Sequence, residues 1–271
     1  MKYIVAIVLI KNSLEAIEEY RKESGNLSFK GEVIIDVDWH FYELTGYYKV
    51  SIIDNGIGMT PEEMQKYISQ LSSSSPNKST NDYENYGIGA KISAITRNTK
   101  GIVYKSWKEG EGYLVQMIHD ESKDIYGLSE FVLDDGSFVY SQPIEDDLKH
   151  EVIKEHGTVV TLYGNKEEDD TMNNVTHDLP GSSEAWILGY LNRRFFSLPE
   201  HTQVKCRIGY NRDRKNTKHH YLANCNGYEH TLNKIKEKSG EVKLSDATIK
   251  WHILKKDRGQ GHGREFVTGH T

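Results

Sequence analysis

Two cysteines, Cys206 and Cys225, are all that 271 residues hold, too few for a disulfide framework and without metal-ligand spacing. A secreted, disulfide-stapled scaffold is excluded, and a reducing, intracellular (cytoplasmic) setting is expected. The twelve histidines are scattered, and His219-His220 lack partners at zinc spacing. Long hydrophobic runs are missing too. The longest, YIVAIVLI (3–10), follows Lys2 like the start of a signal peptide, but it has no small-residue cleavage site and passes into the polar KNSLEAIEEYRKE. It is too short to span a bilayer, so no membrane partner is expected and a buried helix is the reading. There is no Walker loop, because GxxxxGK[ST] is absent, no GxGxxG after a strand, and no internal repeat.

What remains is a globular composition, 37% hydrophobic and 27% charged, with a net charge of −6. That charge is unevenly spread. Residues 1–175 hold 17 Lys+Arg against 30 Asp+Glu, whereas residues 176–271 hold 17 against 10. An acidic front and a basic back suggest two modules with different partners. The polar NKEEDDTMNN (165–174) marks the boundary between a domain over 1–170 and a second over 175–271.

Ile7, Ile10, Leu14 and Ile17 recur at three- and four-residue spacing and predict one helix over 2–23, with Gly25 just beyond. EVIIDVDW (32–39) alternates like a half-buried strand, and YYKVSIIDN (47–55) is a second strand after a polar connection ending at Gly46. Thr60-Pro61-Glu62-Glu63 starts a helix to about Leu71: a capping threonine, proline at the first position, acids in the first turn. SSSSPNKSTNDYENYGIG (72–89) has no apolar periodicity, and loops of that length are usually functional or disordered. A helix from Gly89 to Asn98 follows. Strands are expected at 101–107, 112–118, 128–133, 136–141 and 157–163, then a helix over 183–196 and strands near 203–210 and 247–254.

Three short motifs carry chemistry. DNGIGM (54–59) ends a strand, where glycines let backbone approach a ligand closely; alone, it reads equally as an ordinary turn. YGIGAK (86–91) leads into a helix, presenting free N–H groups and the positive end of the helix dipole to an anion, with Lys91 adding a point charge. HGTVVTLYG (156–164) brings a glycine and a hydroxyl onto a strand.

Asn12 on the first helix, then Asp-x-Gly-x-Gly-Met, then a loop closing on Gly-x-Gly before a helix, then Gly-Thr on a strand: in this order the chain resembles the gyrase, heat-shock chaperone, histidine-kinase and MutL (GHKL, Bergerat-fold) ATPases over residues 1–165. GIGAK is nearest in style to the Microrchidia and chaperone branches. The resemblance implies an α+β fold, a two-layer sandwich with helices on one face of a mixed sheet, followed by part of a second, transducer-like α/β domain. It implies ATP and Mg²⁺ as cofactors. Asn12 would coordinate the Mg²⁺ and Asp54 would accept the adenine amino group, with Thr158 in support through water. Gly58 would give room for the ring and Met59 would pack against it. Gly87, Ile88 and Gly89 would cradle the phosphates near Lys91, and Ser72–Ser75 would belong to a mobile lid.

Departures count as well. Hydrolysing branches carry a glutamate four residues before the asparagine, and here that position is Val8. Valine cannot take a proton from water, so hydrolysis is expected to be slow or impaired; Glu15, three residues after Asn12, reads as a structural acid. The first lid glycine of the chaperone pattern is Glu84. The end GHGREFVTGHT reads as unfinished, as in a piece of a longer chain. CRIGYNRDRKNTKHHY (206–221) is either a phosphate-contacting surface for nucleic acid or a solvated hairpin. The leading expectation is an ATP-driven switch, with ATP-dependent homodimerisation or docking of a partner domain. The alternatives are the catalytic domain of a histidine kinase and a nucleic-acid-associated ATPase.

Overall fold

The computed structural model describes residues 2–69, 94–173 and 186–255. Helix α1 (Lys2–Glu23) packs on a sheet through Ile7, Ile10 and Ile17, the stripe its spacing predicts. Beneath it run β1 (Gly31–Val37) and β2 (Val50–Asp54), joined by α2 (Trp39–Thr45). The link to α2 is local chemistry: Asp38 caps the helix by accepting from the N–H of Phe41 (3.0 Å), and Gly46 closes it in the left-handed region that glycine enters without strain.

Helix α3 (Pro61–Ser69) starts where Thr60 and Glu63 exchange hydrogen bonds. The N–H of Thr60 donates to the Glu63 carboxylate (2.8 Å) and the N–H of Glu63 to the Thr60 hydroxyl (3.3 Å), a capping box that satisfies two otherwise orphaned donors. Lys108 reaches the same carboxylate at 2.9 Å and pins the helix start to the sheet. Thr60→Ala is expected to lower stability by about 1 kcal/mol in thermal unfolding, since the cap loses its acceptor.

The sheet continues through β3 (Ile102–Lys108), β4 (Glu111–Asp120), β5 (Ile125–Leu128) and a short β8 (Gln142–Pro143), after a small pair β6 (Phe131–Val132) and β7 (Phe138–Val139). Strand β9 (Gly157–Leu162) returns to the centre between β2 and β3. After α4 (Trp186–Arg194) come β10 (Thr202–Ile208) and β11 (Tyr221–Cys225), then α5 (Tyr228–Ile235) and a separate hairpin, β12 (Lys236–Lys243) with β13 (Thr248–Leu254). Among the described residues the main sheet runs β11-β10-β1-β2-β9-β3-β4-β5, antiparallel throughout except for β1 beside β10. The fold is α+β: helices α1, α3 and α4 share one apolar layer on one face of this mixed sheet.

Two expectations change here. The sheet does not stop at residue 175, because β10 pairs in register with β1 and β11 follows it, so residues 202–225 complete the front layer. The polar stretch at 165–174 is a loop folded back on that layer: the Lys49 ammonium donates to the carbonyls of Tyr163 (2.8 Å) and Asp169 (2.6 Å). Strand β1 is also buried on both faces, not half-buried. Its outward residues, Ile34 and Asp36, are covered by Ile53, Trp107, Ile153 and Val159 and by the Arg207 side chain.

Candidate functional site

The site lies where β2 ends. Asp54 is the last residue of β2, and its side chain points into the helix-covered layer. Thr158 of β9 stands directly opposite it, and Ser106 of β3 stands opposite Thr158. Directly opposed side chains on neighbouring strands share a face. Register alone therefore lines up a carboxylate and two hydroxyls in an otherwise apolar layer, all three buried.

Helix α1 closes the row from above. Ser13 donates its hydroxyl to the Asp54 carboxylate at 2.8 Å. The N–H of Gly56 donates to the other carboxylate oxygen at 3.0 Å, and the backbone N–H of Thr158 also supports the charged form. Burial outweighs these three donors and pushes the Asp54 carboxyl up to about 6. A buried carboxylate with a perturbed proton affinity is a functional-site candidate.

The glycines of DNGIGM have structural tasks of their own. At Gly56 a Cβ would sit 2.8 Å from the Ala16 backbone, while the next N–H, of Ile57, donates to the Ala16 carbonyl at 3.1 Å. At Gly58, φ is +70° and a Cβ would run into the carbonyl oxygen of Trp107. Both glycines let the turn press against α1 and β3, the walls of the site. Met59 is partly buried against the core, and its N–H donates to the Ser106 hydroxyl at 2.9 Å.

Asn12 lies on α1 immediately before Ser13, with its side chain exposed. It is one helical turn from Ala16, which touches the turn, so it shares the face that looks over the site. Val8, one turn further back, is buried. The structure thus gathers α1 at Asn12–Ala16, Asp54, Gly58, Met59 and Thr158 around one end of the sheet. Gly87, Ile88, Gly89 and Lys91, and the Ser72–Ser75 run, lie outside the described residues. Ser13 and Ser106 were not singled out from sequence. A small polar residue on the apolar side of a helix was the available signal for Ser13; for Ser106 there was none, because its role comes from strand register.

Two arginines of the basic stretch are committed to internal partners. Arg207 forms a bidentate pair with the buried Asp36 (2.6 Å at the closest). Arg214 stacks on Trp39 with its guanidinium 3.8 Å from the ring centroid and reaches Glu43 at 3.2 Å. On the separate hairpin Lys250 pairs with Glu229, and Lys255, just beyond it, donates to the Lys234 carbonyl. Among the described residues no helix is long and apolar enough to cross a membrane.

A family model described as histidine kinase-, DNA gyrase B- and HSP90-like ATPase matches residues 3–130. The chain is also similar to chaperone protein HtpG from three strains of Bacteroides fragilis, 30% identical over 110 residues, an alignment covering 38% of this chain. It spans 16% of the length of those curated relatives. The matched segment contains α1 from residue 3 onward, β1, the strand β2 that ends at Asp54, and the DNGIGM turn. With these motifs on a mixed sheet under one helical layer, residues 3–130 belong to the histidine kinase-, DNA gyrase B- and HSP90-like ATPases.

Proposed function

We propose that this module binds Mg-ATP with its adenine against Asp54 and acts as an ATP-driven conformational or dimerisation switch in which hydrolysis is weak. The observation that carries the binding reading is Asp54: a buried carboxylate in an otherwise apolar layer, with acceptor capacity beyond the donors Ser13, Gly56 and the Thr158 N–H. A purine amino group would supply one further N–H, and surrounding apolar side chains would cover the ring's faces.

The residues present fit the cofactor. Asn12, exposed one position from Ser13, would offer a hard amide oxygen to magnesium at the phosphate end. Among the described residues no cluster of three His, Cys, Asp or Glu could hold a metal by itself, so phosphate oxygens and water would complete the shell. In the bound state Asp54 orients the base, the α1 face positions Asn12, and Val8 offers no group to accept a proton from an attacking water. The switch itself is read from the resemblance to the family.

Calorimetric titration with a non-hydrolysable Mg-ATP analogue and with Mg-ADP, read beside molecular mass, tests the whole. Tighter analogue binding with a doubling of mass is expected; absence of binding would end the nucleotide reading. Val8→Glu is expected to raise the single-turnover hydrolysis rate by about 10²–10⁴-fold, the usual worth of a general base. An unchanged rate in a folded Val8→Glu protein that binds ATP would show that the missing base is not what limits turnover. Nucleotide affinity is also expected to fall as pH drops through about 6, because protonation removes an acceptor from Asp54; titrations between pH 5 and 7.5 would show it.

A further inference from the structure

Ser106 is fully buried and touches three polar groups. The N–H of Met59 lies 2.9 Å from its hydroxyl, the carbonyl of Gly157 lies 3.2 Å away, and the Thr158 hydroxyl lies 2.9 Å away. A serine hydroxyl has one proton and two lone pairs. Met59 can only donate and the Gly157 carbonyl can only accept. One assignment makes all three contacts hydrogen bonds: Ser106 donates to Gly157 and accepts from both Met59 and Thr158.

That assignment turns the Thr158 proton toward β3, away from Asp54. The Thr158 oxygen then offers only lone pairs to the space beside Asp54, which is itself an acceptor once ionised. The protons of Ser13 and Gly56 are already spent on the Asp54 carboxylate. The floor of the site is thereby all acceptors, a surface that matches a base carrying an amino group at its 6-position and repels one carrying a carbonyl there.

We infer that Ser106 is a positioning residue for base choice: by holding the Thr158 proton it makes the site select 6-amino over 6-oxo purine nucleotides. The inference rests on the nucleotide reading proposed above and deepens it. Without Ser106 the Thr158 hydroxyl is free to rotate and donate to a 6-oxo group, so selectivity relaxes while the pocket persists.

The experiment is calorimetry of ADP and inosine diphosphate with the wild-type protein, Ser106→Ala, Ser106→Cys, Thr158→Val and the Ser106→Ala/Thr158→Val pair. Wild type is expected to prefer ADP. The ADP-to-IDP affinity ratio is expected to fall about tenfold in Ser106→Ala, the worth of one buried hydrogen bond. Ser106→Cys, which preserves the side-chain shape and so the fold, should give a fall of the same sign. In the Thr158→Val background, Ser106→Ala should no longer change the ratio, because its effect passes through the Thr158 proton. A ratio unmoved in both Ser106 variants, or moved equally with Thr158 already replaced, would overturn the inference while leaving ADP binding intact. A wild-type protein that binds neither nucleotide would sink the nucleotide reading and this inference together.

Discussion

Asp54→Asn is expected to give a protein that is more stable than wild type and binds adenine nucleotides about a hundredfold more weakly. The two effects share one cause. Burial raises the Asp54 carboxyl from 3.8 to about 6, so the folded state resists its ionisation. Below about pH 4 the group is protonated in both folded and unfolded chains and contributes nothing. Between about 4 and 6 the unfolded chain releases the proton first, so stability falls as pH rises; above about 6 the deficit is constant, about 3 kcal/mol. Asparagine removes that deficit but keeps only one acceptor oxygen for Ser13, Gly56 and Thr158, so a net gain of about 1–2 kcal/mol at neutral pH is expected. The same change places an amide N–H₂ where a purine amino group needs an acceptor, and a hydrogen bond to a charged partner is worth about 1.5–3 kcal/mol. Urea unfolding at pH 4.5 and 7.5, beside ADP titration, checks both halves. Unchanged affinity for ADP would remove Asp54 from the site.

Arg207→Met is expected to destabilise the fold by about 3–5 kcal/mol, although it lies on the opposite face of the sheet from Asp54. Its guanidinium reaches both oxygens of Asp36 from β10 across to β1. Asp36 is almost wholly buried and also accepts from the Val37 N–H and the Trp39 indole. Removing the cation strands a charge among apolar neighbours, whereas removing both charges does not. The pair Asp36→Leu/Arg207→Met is therefore expected to recover most of the loss, since hydrophobic replacement of a buried ion pair is often neutral or stabilising. Urea midpoints of the single and double variants decide it. A single variant as stable as wild type would mean that this bridge does not hold β10 to the sheet.

Elements set by neighbours in sequence were legible before any coordinates. The stripe of Ile7, Ile10 and Ile17 defined α1, and Thr60 with Glu63 defined the start of α3, because helix faces and caps depend on residues three and four apart. Asp54, Thr158 and Asn12 lie in motifs whose order is carried by the sequence itself. The α2 helix was not: WHFYELT is short, has no buried residue, and owes its start to Asp38 in what reads as a polar connection. Strand β12, KEKSGEVK, carries almost no apolar signal and exists as the partner of β13.

Local pattern by itself determined the apolar stripe of α1, the cap of α3, and the order of the motifs that contain Asn12, Asp54 and Thr158. The tertiary structure alone decided that β10 joins the front sheet beside β1, that the Arg207 charge belongs to Asp36, and that Ser13 and Thr158 meet Asp54 while Ser106 meets Thr158. The physical reason is separation along the chain. A cap or an apolar stripe is satisfied within a turn or two of backbone, while Ser106 and Thr158, or Asp36 and Arg207, meet only after strand register brings distant segments side by side.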